Sequence, residues 1–391
     1  MPKIWINAGE LSGDIQGAAL LQALQILHPD LQAFGMGGPN LARAGQKNLL
    51  RVEELSVMGI AEVLTAIPRA VRMLGRIKEE LERLRPDAVV LVDAPEFNFR
   101  VAKIAYALGI PTYYFIPPKV WAWRTGRVEF LKRHIRRMFC ILPFEPNFYA
   151  QFGIDVDYVG NPLVDLVDWP HLKQFAPLSG CIGLMPGSRR KEVENLMPAF
   201  GETARILLNQ GRNVTFRCLR APNMSEARLR ELWPSDIPIL FTDPDRRYLS
   251  MRACECILAA SGTAVLETAL VGVPTIVAYR VSEFSALVAR RLIKINWVSL
   301  PNLIMNREIF PELLQEAATP DRMAAQLALW LDNPDSLKEL QTDLEELRNR
   351  CGKPGSAHRA ACKLLDAMGL PVSEATQSTE NKASCQEREW K

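Results

Sequence analysis

No apolar run in the sequence is long enough to span a bilayer, which excludes a transmembrane helix as its organising element. Histidine is scarce: His28, His134, His171 and His358 are the only four, and their spacing is not that of a ligand set. The eight cysteines stand singly apart from Cys254 and Cys256, and this C-x-C lacks the second pair that a zinc site needs. They read as small buried hydrophobes in a reducing compartment. Neither a metal nor a cofactor is expected. Charge of one sign is missing too. The net charge is +3 over 391 residues, so no nucleic-acid partner is implied. The chain starts Met1-Pro2-Lys3-Ile4-Trp5-Ile6-Asn7, a short strand and not the apolar stretch of a secretion signal, and a cytoplasmic protein is expected.

What is present has the balance of a soluble globular protein, 48% apolar and 23% charged, with length for two domains. Apolar β-rich runs alternate with longer amphipathic segments. Strands are expected at 3–7, 88–92, 112–116, 138–142 and 157–159, and again at 181–185, 213–218, 239–242, 256–260 and 275–278. Helices between them include 15–27, 67–84 and 99–108. This grammar predicts an α/β fold of two Rossmann-like domains with doubly wound parallel sheets facing an interdomain cleft. The expected domains are 1–165 and 178–370, joined by a Pro-rich hinge within 161–179. The polar tail 371–391 is expected to be disordered.

Three turns carry the chemistry. After the first strand comes Ala8-Gly9-Glu10-Leu11-Ser12-Gly13-Asp14, at the carboxyl end of the sheet, where open α/β folds bind ligands. Glycine permits the turn, and Ser12 or Asp14 is positioned to cap the following helix. In the second half, Pro186-Gly187-Ser188-Arg189 and Ser261-Gly262-Thr263 each join a buried strand to a helix start. Such starts leave N–H groups unpaired and favour negative charge, so a pair of them suggests a diphosphate pocket. Arg189 adds a guanidinium, or is one surface charge among Arg190 and Lys191. Glu267 lies one helical turn beyond Thr263, in reach of ribose hydroxyls.

A fourth element is catalytic in character. Val89-Val90-Leu91-Val92 delivers Asp93 to the end of a buried strand, ahead of Ala94-Pro95-Glu96-Phe97-Asn98. A carboxylate there can take a proton from a sugar hydroxyl. It also reads as the N-cap of a helix from Phe99, and Glu96 is a rival acid. From Lys119 to Arg137 there are seven Lys/Arg residues and His134 against Glu129 alone, interleaved with Trp121, Trp123 and Phe130. This is either a solvated helix face or a surface for anionic lipid or a phosphorylated substrate.

Taken in order, AGELSGD (8–14), ELSVMGIAEVL (54–64), VDAPEFN (92–98), VWAWR (120–124), LPFE (142–145), MPGSRRKEV (185–193), ASGTAVLE (260–267) and VSLPNL (298–303) resemble the lipid-A-disaccharide synthases. The resemblance implies a GT-B glycosyltransferase with an inverting mechanism. UDP-2,3-diacylglucosamine would donate its sugar to 2,3-diacylglucosamine 1-phosphate, giving a β-1,6-linked disaccharide phosphate and UDP. It implies Asp93 as base, Arg189 against the leaving diphosphate, and Asn302 as a donor contact. It also implies an acceptor- and membrane-facing first domain and a UDP-sugar donor second domain. Val57, Met58, Ile60, Val63, Leu64 and Ile67 with Arg69, Arg72 and Arg76 read either as an ordinary core-facing helix or, given acylated substrates, as peripheral contact with anionic lipid on the cytoplasmic face of the inner membrane. The chain departs from the family pattern at Leu11, where Thr is common, and at Pro117-Pro118-Lys119, where a serine-containing turn is common. The sequence sets no oligomeric state. Alternatives are an isomerase like UDP-N-acetylglucosamine 2-epimerase and a membrane-associated protein that only binds UDP-sugars.

Overall fold

The computed structural model describes residues 1–56, 63–123, 125–280 and 296–371. They form two compact units. One comprises 1–162 together with the chain from Pro354 onward, the other Leu163–Lys353.

The first unit is built on seven parallel strands: β1 (Lys3–Ala8), β2 (Gln32–Gly37), β3 (Lys47–Arg51), β4 (Ala88–Val92), β5 (Thr112–Phe115), β6 (Arg137–Cys140) and β7 (Asp157–Tyr158). Their order is β3-β2-β1-β4-β5-β6-β7. Alternation along β1 explains the two-layer packing. Ile4 and Ile6 enter a core with Leu20, Leu24 and Val90, whereas Trp5 enters the opposite core with Met36, Val89 and Ile77. The order reverses between β1 and β4, where Ala8 pairs with Val92. The turns after these two strands are therefore neighbours at a topological switch point, the usual ligand crevice of such sheets.

The second unit repeats the plan with six parallel strands: β8 (Cys181–Met185), β9 (Thr215–Cys218), β10 (Leu240–Phe241), β11 (Cys256–Ala260), β12 (Thr275–Tyr279) and β13 (Glu312–Leu314). The order is β10-β9-β8-β11-β12-β13, so its switch point lies between β8 and β11. β2, β3 and β13 had no counterpart among the expected strands. β2 holds Gly35 and Gly37, β3 is an edge strand with Lys47 and Arg51 at its ends, and β13 has three residues, so none shows a sustained apolar run.

Two expectations about boundaries are corrected. The helix Ser356–Met368 was assigned to the second domain, but it packs on the helix Leu11–Leu27 of the first. Ala360, Ala361, Leu364 and Leu365 fill the core that holds Leu20 and Leu24. Each buried leucine there stabilises by about 2 kcal/mol. The hydroxyl of Tyr113 donates to Ala367 O at 3.0 Å, and Arg359 Nε donates to Val159 O at 2.9 Å. The segment placed in the hinge from Leu163 onward is part of the second unit. Trp169 lies against the Gly272 turn (φ +78°), and the Arg348 guanidinium stacks on its ring at 3.7 Å. The chain crosses between units at 162–163 and at 353–354.

No helix among the described residues is long and apolar enough to cross a membrane. The apolar positions singled out at Val57, Met58 and Ile60, the side chains of Val63, Leu64 and Ile67, and the tail from Val372 lie outside the described residues. The helix Val63–Leu84 carries Arg69, Arg72 and Arg76 exposed to solvent.

Candidate functional site

At the first switch point, β4 ends in two consecutive left-handed residues, Asp93 (φ +49°) and Ala94 (φ +45°). Neither is glycine, so each costs about 1–2 kcal/mol and must be held from outside. The holding groups are specific. Asn98 Nδ2 donates to Asp93 O at 2.7 Å, and the Tyr114 hydroxyl donates to the same oxygen at 2.7 Å. Asn98 is itself fixed by Asn7, whose Nδ2 donates to Asn98 Oδ1 at 2.8 Å, and Asn7 Oδ1 accepts from Trp5 Nε1 at 3.1 Å. All of these side chains apart from Asp93 are buried. Burial pushes the Tyr114 phenol well above its usual range, so it remains a hydrogen-bond donor. The network settles one alternative. The helix after Asp93 starts at Pro95, follows Ala94 and has no side-chain cap, so Asp93 is not its N-cap. Its carboxylate is half-buried at the end of β4.

The turn after β1 meets it there. Ser12 Oγ lies 3.5 Å from Asp93 Oδ2 as donor. The carboxyl of Glu10 is pushed up by partial burial and then by the charge of Asp93. Gly9 is buried beneath the turn, and a Cβ on Gly13 would come within 3.2 Å of Val92 O, so the helix rests on the end of β4. The rival acid Glu96 is committed elsewhere. Its two oxygens accept from Arg127 Nη1 and Nη2 at 2.8 and 3.0 Å. Asp14 does not cap its own helix, which begins at Leu11. It is buried, and it accepts from the backbone N–H groups of Gly38, Asn40 and Leu41 at 2.7–3.1 Å, closing the start of the helix Pro39–Arg43.

At the second switch point the two phosphate-type turns are also brought together. β8 pairs with β11, and a Cβ on Gly187 (φ +109°) would lie 3.4 Å from Ala260 Cβ and 2.8 Å from Glu192 Oε2. Glycine is required there. The helices Arg190–Asn209 and Thr263–Leu270 start beside each other without side-chain caps, which leaves their first N–H groups to solvent or ligand. Ser188, Gly262 and Thr263 are exposed, and Ser261 is half-buried. Arg189 is 79% exposed and touches Glu192 Oε1 at 2.6 Å. An exposed pair of this kind is weak, so the guanidinium is free to turn to an anion.

Two expected donor contacts look different in the structure. Glu267 is buried and paired with Arg247, with Tyr248 Oη at 3.5 Å from its other oxygen. Burial raises its carboxyl and Arg247 opposes the rise. Asn302 is corrected outright. It is 0% exposed, its Oδ1 accepts from Ile309 N and Phe310 N at 2.9 Å, and its Nδ2 donates to Phe310 O and Glu312 Oε1. An asparagine offers two donors and two acceptor positions, and all four are used within the fold. It ties the turn 306–312 to β13 and has nothing left for a sugar.

Sequence reading missed Tyr114, Asn7, Arg247 and Tyr248. Asn98 was within a quoted motif without a role. Only tertiary pairing reveals these, because Asn7 at the end of β1 and Asn98 in the helix Pro95–Ala107 are far apart in sequence. Among the described residues no three His, Cys, Asp or Glu side chains gather as a metal site would.

A model of the lipid-A-disaccharide synthetase family matches residues 4–366. The chain is 38% identical over 370 residues to the lipid-A-disaccharide synthase of Syntrophus aciditrophicus, covering 93% of this chain and 97% of that one. It is 40% identical over 380 residues to that of Myxococcus xanthus, covering 94% and 98%. Among solved structures, a UDP-GlcNAc 2-epimerase from Neisseria meningitidis bound to UDP-GlcNAc superposes with a TM-score of 0.65 at 14% identity, covering 93% of this chain and 100% of that one. The calicheamicin glycosyltransferase CalG4 gives 0.60 at 14% identity, covering 94% and 98%. At such identities these two speak for the fold alone.

Proposed function

The chain belongs to the lipid-A-disaccharide synthase family and is a glycosyltransferase of the GT-B fold that makes the lipid A disaccharide, and we propose that Asp93 is its base and the second switch point its UDP site. The acceptor, 2,3-diacylglucosamine 1-phosphate, binds the first unit with its 6-hydroxyl on the Asp93 carboxylate. Glu10, Ser12 and the Gly9 turn line that position. The donor, UDP-2,3-diacylglucosamine, rests its diphosphate on the starts of Arg190–Asn209 and Thr263–Leu270, among Gly187, Ser188, Ser261, Gly262 and Thr263.

The helix starts at both switch points lack side-chain caps, so the observation that carries this reading is what stands beside them: Glu10 and Asp93, the latter in a costly backbone conformation, at the first, and the exposed Arg189 at the second. As Asp93 takes the proton, the hydroxyl oxygen attacks the anomeric carbon from the face opposite UDP, which inverts that centre by analogy with glycoside hydrolysis. Negative charge grows on the leaving diphosphate. Preoriented N–H groups stabilise it without reorganising, and Arg189 turns to it from Glu192. Glu267, held by Arg247, supplies the acceptor oxygen for a ribose hydroxyl. The acyl chains of both substrates support a peripheral position on the cytoplasmic face of the inner membrane, with Arg69, Arg72 and Arg76 on anionic lipid.

The test is a turnover assay read by mass spectrometry, with both acylated sugars in detergent micelles. A tetra-acyl disaccharide phosphate formed with one UDP per product is the expected outcome. Epimerised UDP-N-acetylglucosamine, or UDP binding with no product, would return the function to one of the alternatives.

A further inference from the structure

The loop after β5 carries the Pro117-Pro118-Lys119 departure and the VWAWR motif, and it is fastened at both ends. At its far end, the exposed Arg127–Glu96 pair ties it to the helix that follows Asp93. Near its start the fastening is buried. Glu145 is 1% exposed, and its carboxylate collects three donors: Trp121 Nε1 on Oε1 at 3.1 Å, and Ile141 N and Leu142 N on Oε2 at 3.2 and 2.9 Å. The Trp121 ring packs edge-on against Phe144 at 4.9 Å, and the Tyr149 hydroxyl donates to Pro118 O at 3.4 Å. Trp121 comes from the short helix Val120–Trp123 in the connection after β5, and Glu145 opens the helix Glu145–Ala150 after β6. One carboxylate thus joins two loops on the sheet edge that also holds Asp93, since β4, β5 and β6 are adjacent and parallel.

A buried carboxylate is costly unless its oxygens are fully used, and removing it would leave three donors stranded. Helix capping does not account for it, because the Trp121 contact reaches across to another loop. Nothing in the reaction uses Glu145 directly. We propose that Glu145 is a positioning residue for the acceptor, which through Trp121 sets the segment 117–123 against Asp93 and thereby the placement of the acceptor sugar phosphate. This inference rests on the transferase reading above.

The experiment compares initial rates of the wild-type chain, Glu145→Gln and Trp121→Phe while each substrate is varied in turn, with UDP affinity measured on the same preparations. Glutamine has the same shape but offers one oxygen where three donors converge. Phenylalanine keeps the ring and removes only the N–H. Expected is a rise of about tenfold in acceptor KM for Glu145→Gln and a smaller rise for Trp121→Phe. Donor KM and UDP affinity stay within about twofold of wild type. An unchanged acceptor KM in Trp121→Phe, or equal rises in donor and acceptor KM, overturns the proposal. If Glu145→Gln does not fold, Trp121→Phe decides alone. A wild-type chain that makes no disaccharide removes the reaction assignment itself, and this inference with it.

Discussion

The turns after β1 and β4 at one switch point and those after β8 and β11 at the other hold equivalent places in two sheets of the same strand plan, yet opposite means build them. The first is closed. Its strained backbone is fixed by Asn98 and Tyr114, and behind them Asn7 and Trp5 hold Asn98 in place. The second is open, with a glycine at φ +109° and an arginine in solvent beside two helix starts that, like those of the first, carry no side-chain cap. On the roles proposed above, the difference follows from the two tasks. A base must hold one carboxylate at one point, and a small displacement forfeits the gain from orientation. A diphosphate site needs donors that stay unpaired until the anion arrives, so internal partners would defeat it.

The most severe way to break the closed half is Asp93→Ala. Turnover should fall by about 10²–10⁴, measured by disaccharide formation under saturating substrates. In the open half, Arg189→Ala should lower the rate by about 10²–10³. Arg189→Lys should recover only part of it, because the ammonium lacks the planar fork. Rates that match wild type in Arg189→Ala would remove the guanidinium from the mechanism.

Glu145 sharpens the closed half through pH. Burial raises its carboxyl from 4.5 to about 7, with its three hydrogen bonds and Lys119 opposing the rise. Between those values the folded chain holds a proton that the unfolded chain has released. The resulting stability is full below about pH 4.5 and is lost as pH rises through about 7. Relative to Glu145→Gln, the wild type should lose on the order of 3 kcal/mol across that window. Denaturant midpoints of both proteins from pH 4.5 to 8 check it, and parallel curves would contradict it. The smallest expected effect belongs to Tyr114→Phe, which removes one of the two side-chain donors on Asp93 O. A loss of about 1 kcal/mol, seen as a several-fold drop in kcat with KM unchanged, is expected.

Much of this was legible in the sequence because it depends on local signals. Strands such as Val89–Val92 and Cys256–Ala260 announce themselves as apolar β-rich runs, and strand-turn-helix junctions follow from glycine placement. Asp93 was singled out because a carboxylate at the end of such a strand is out of place in a core. Asn302 was expected as a donor contact only from the family resemblance, and the structure shows its four hydrogen bonds turned inward. Asp14 likewise caps a helix some twenty-five residues away and not its own. The Ser356–Met368 helix returned to the first unit with no sequence signal, because an apolar helical face does not state which core it fills.

The measurement that bears most directly on the contrast is a UDP titration of Asp93→Ala and Arg189→Ala beside the wild-type chain. The account predicts that Asp93→Ala binds UDP like wild type despite its lost turnover, and that Arg189→Ala binds it at least about tenfold more weakly. Equal weakening in both variants would contradict the division of labour between the two switch points.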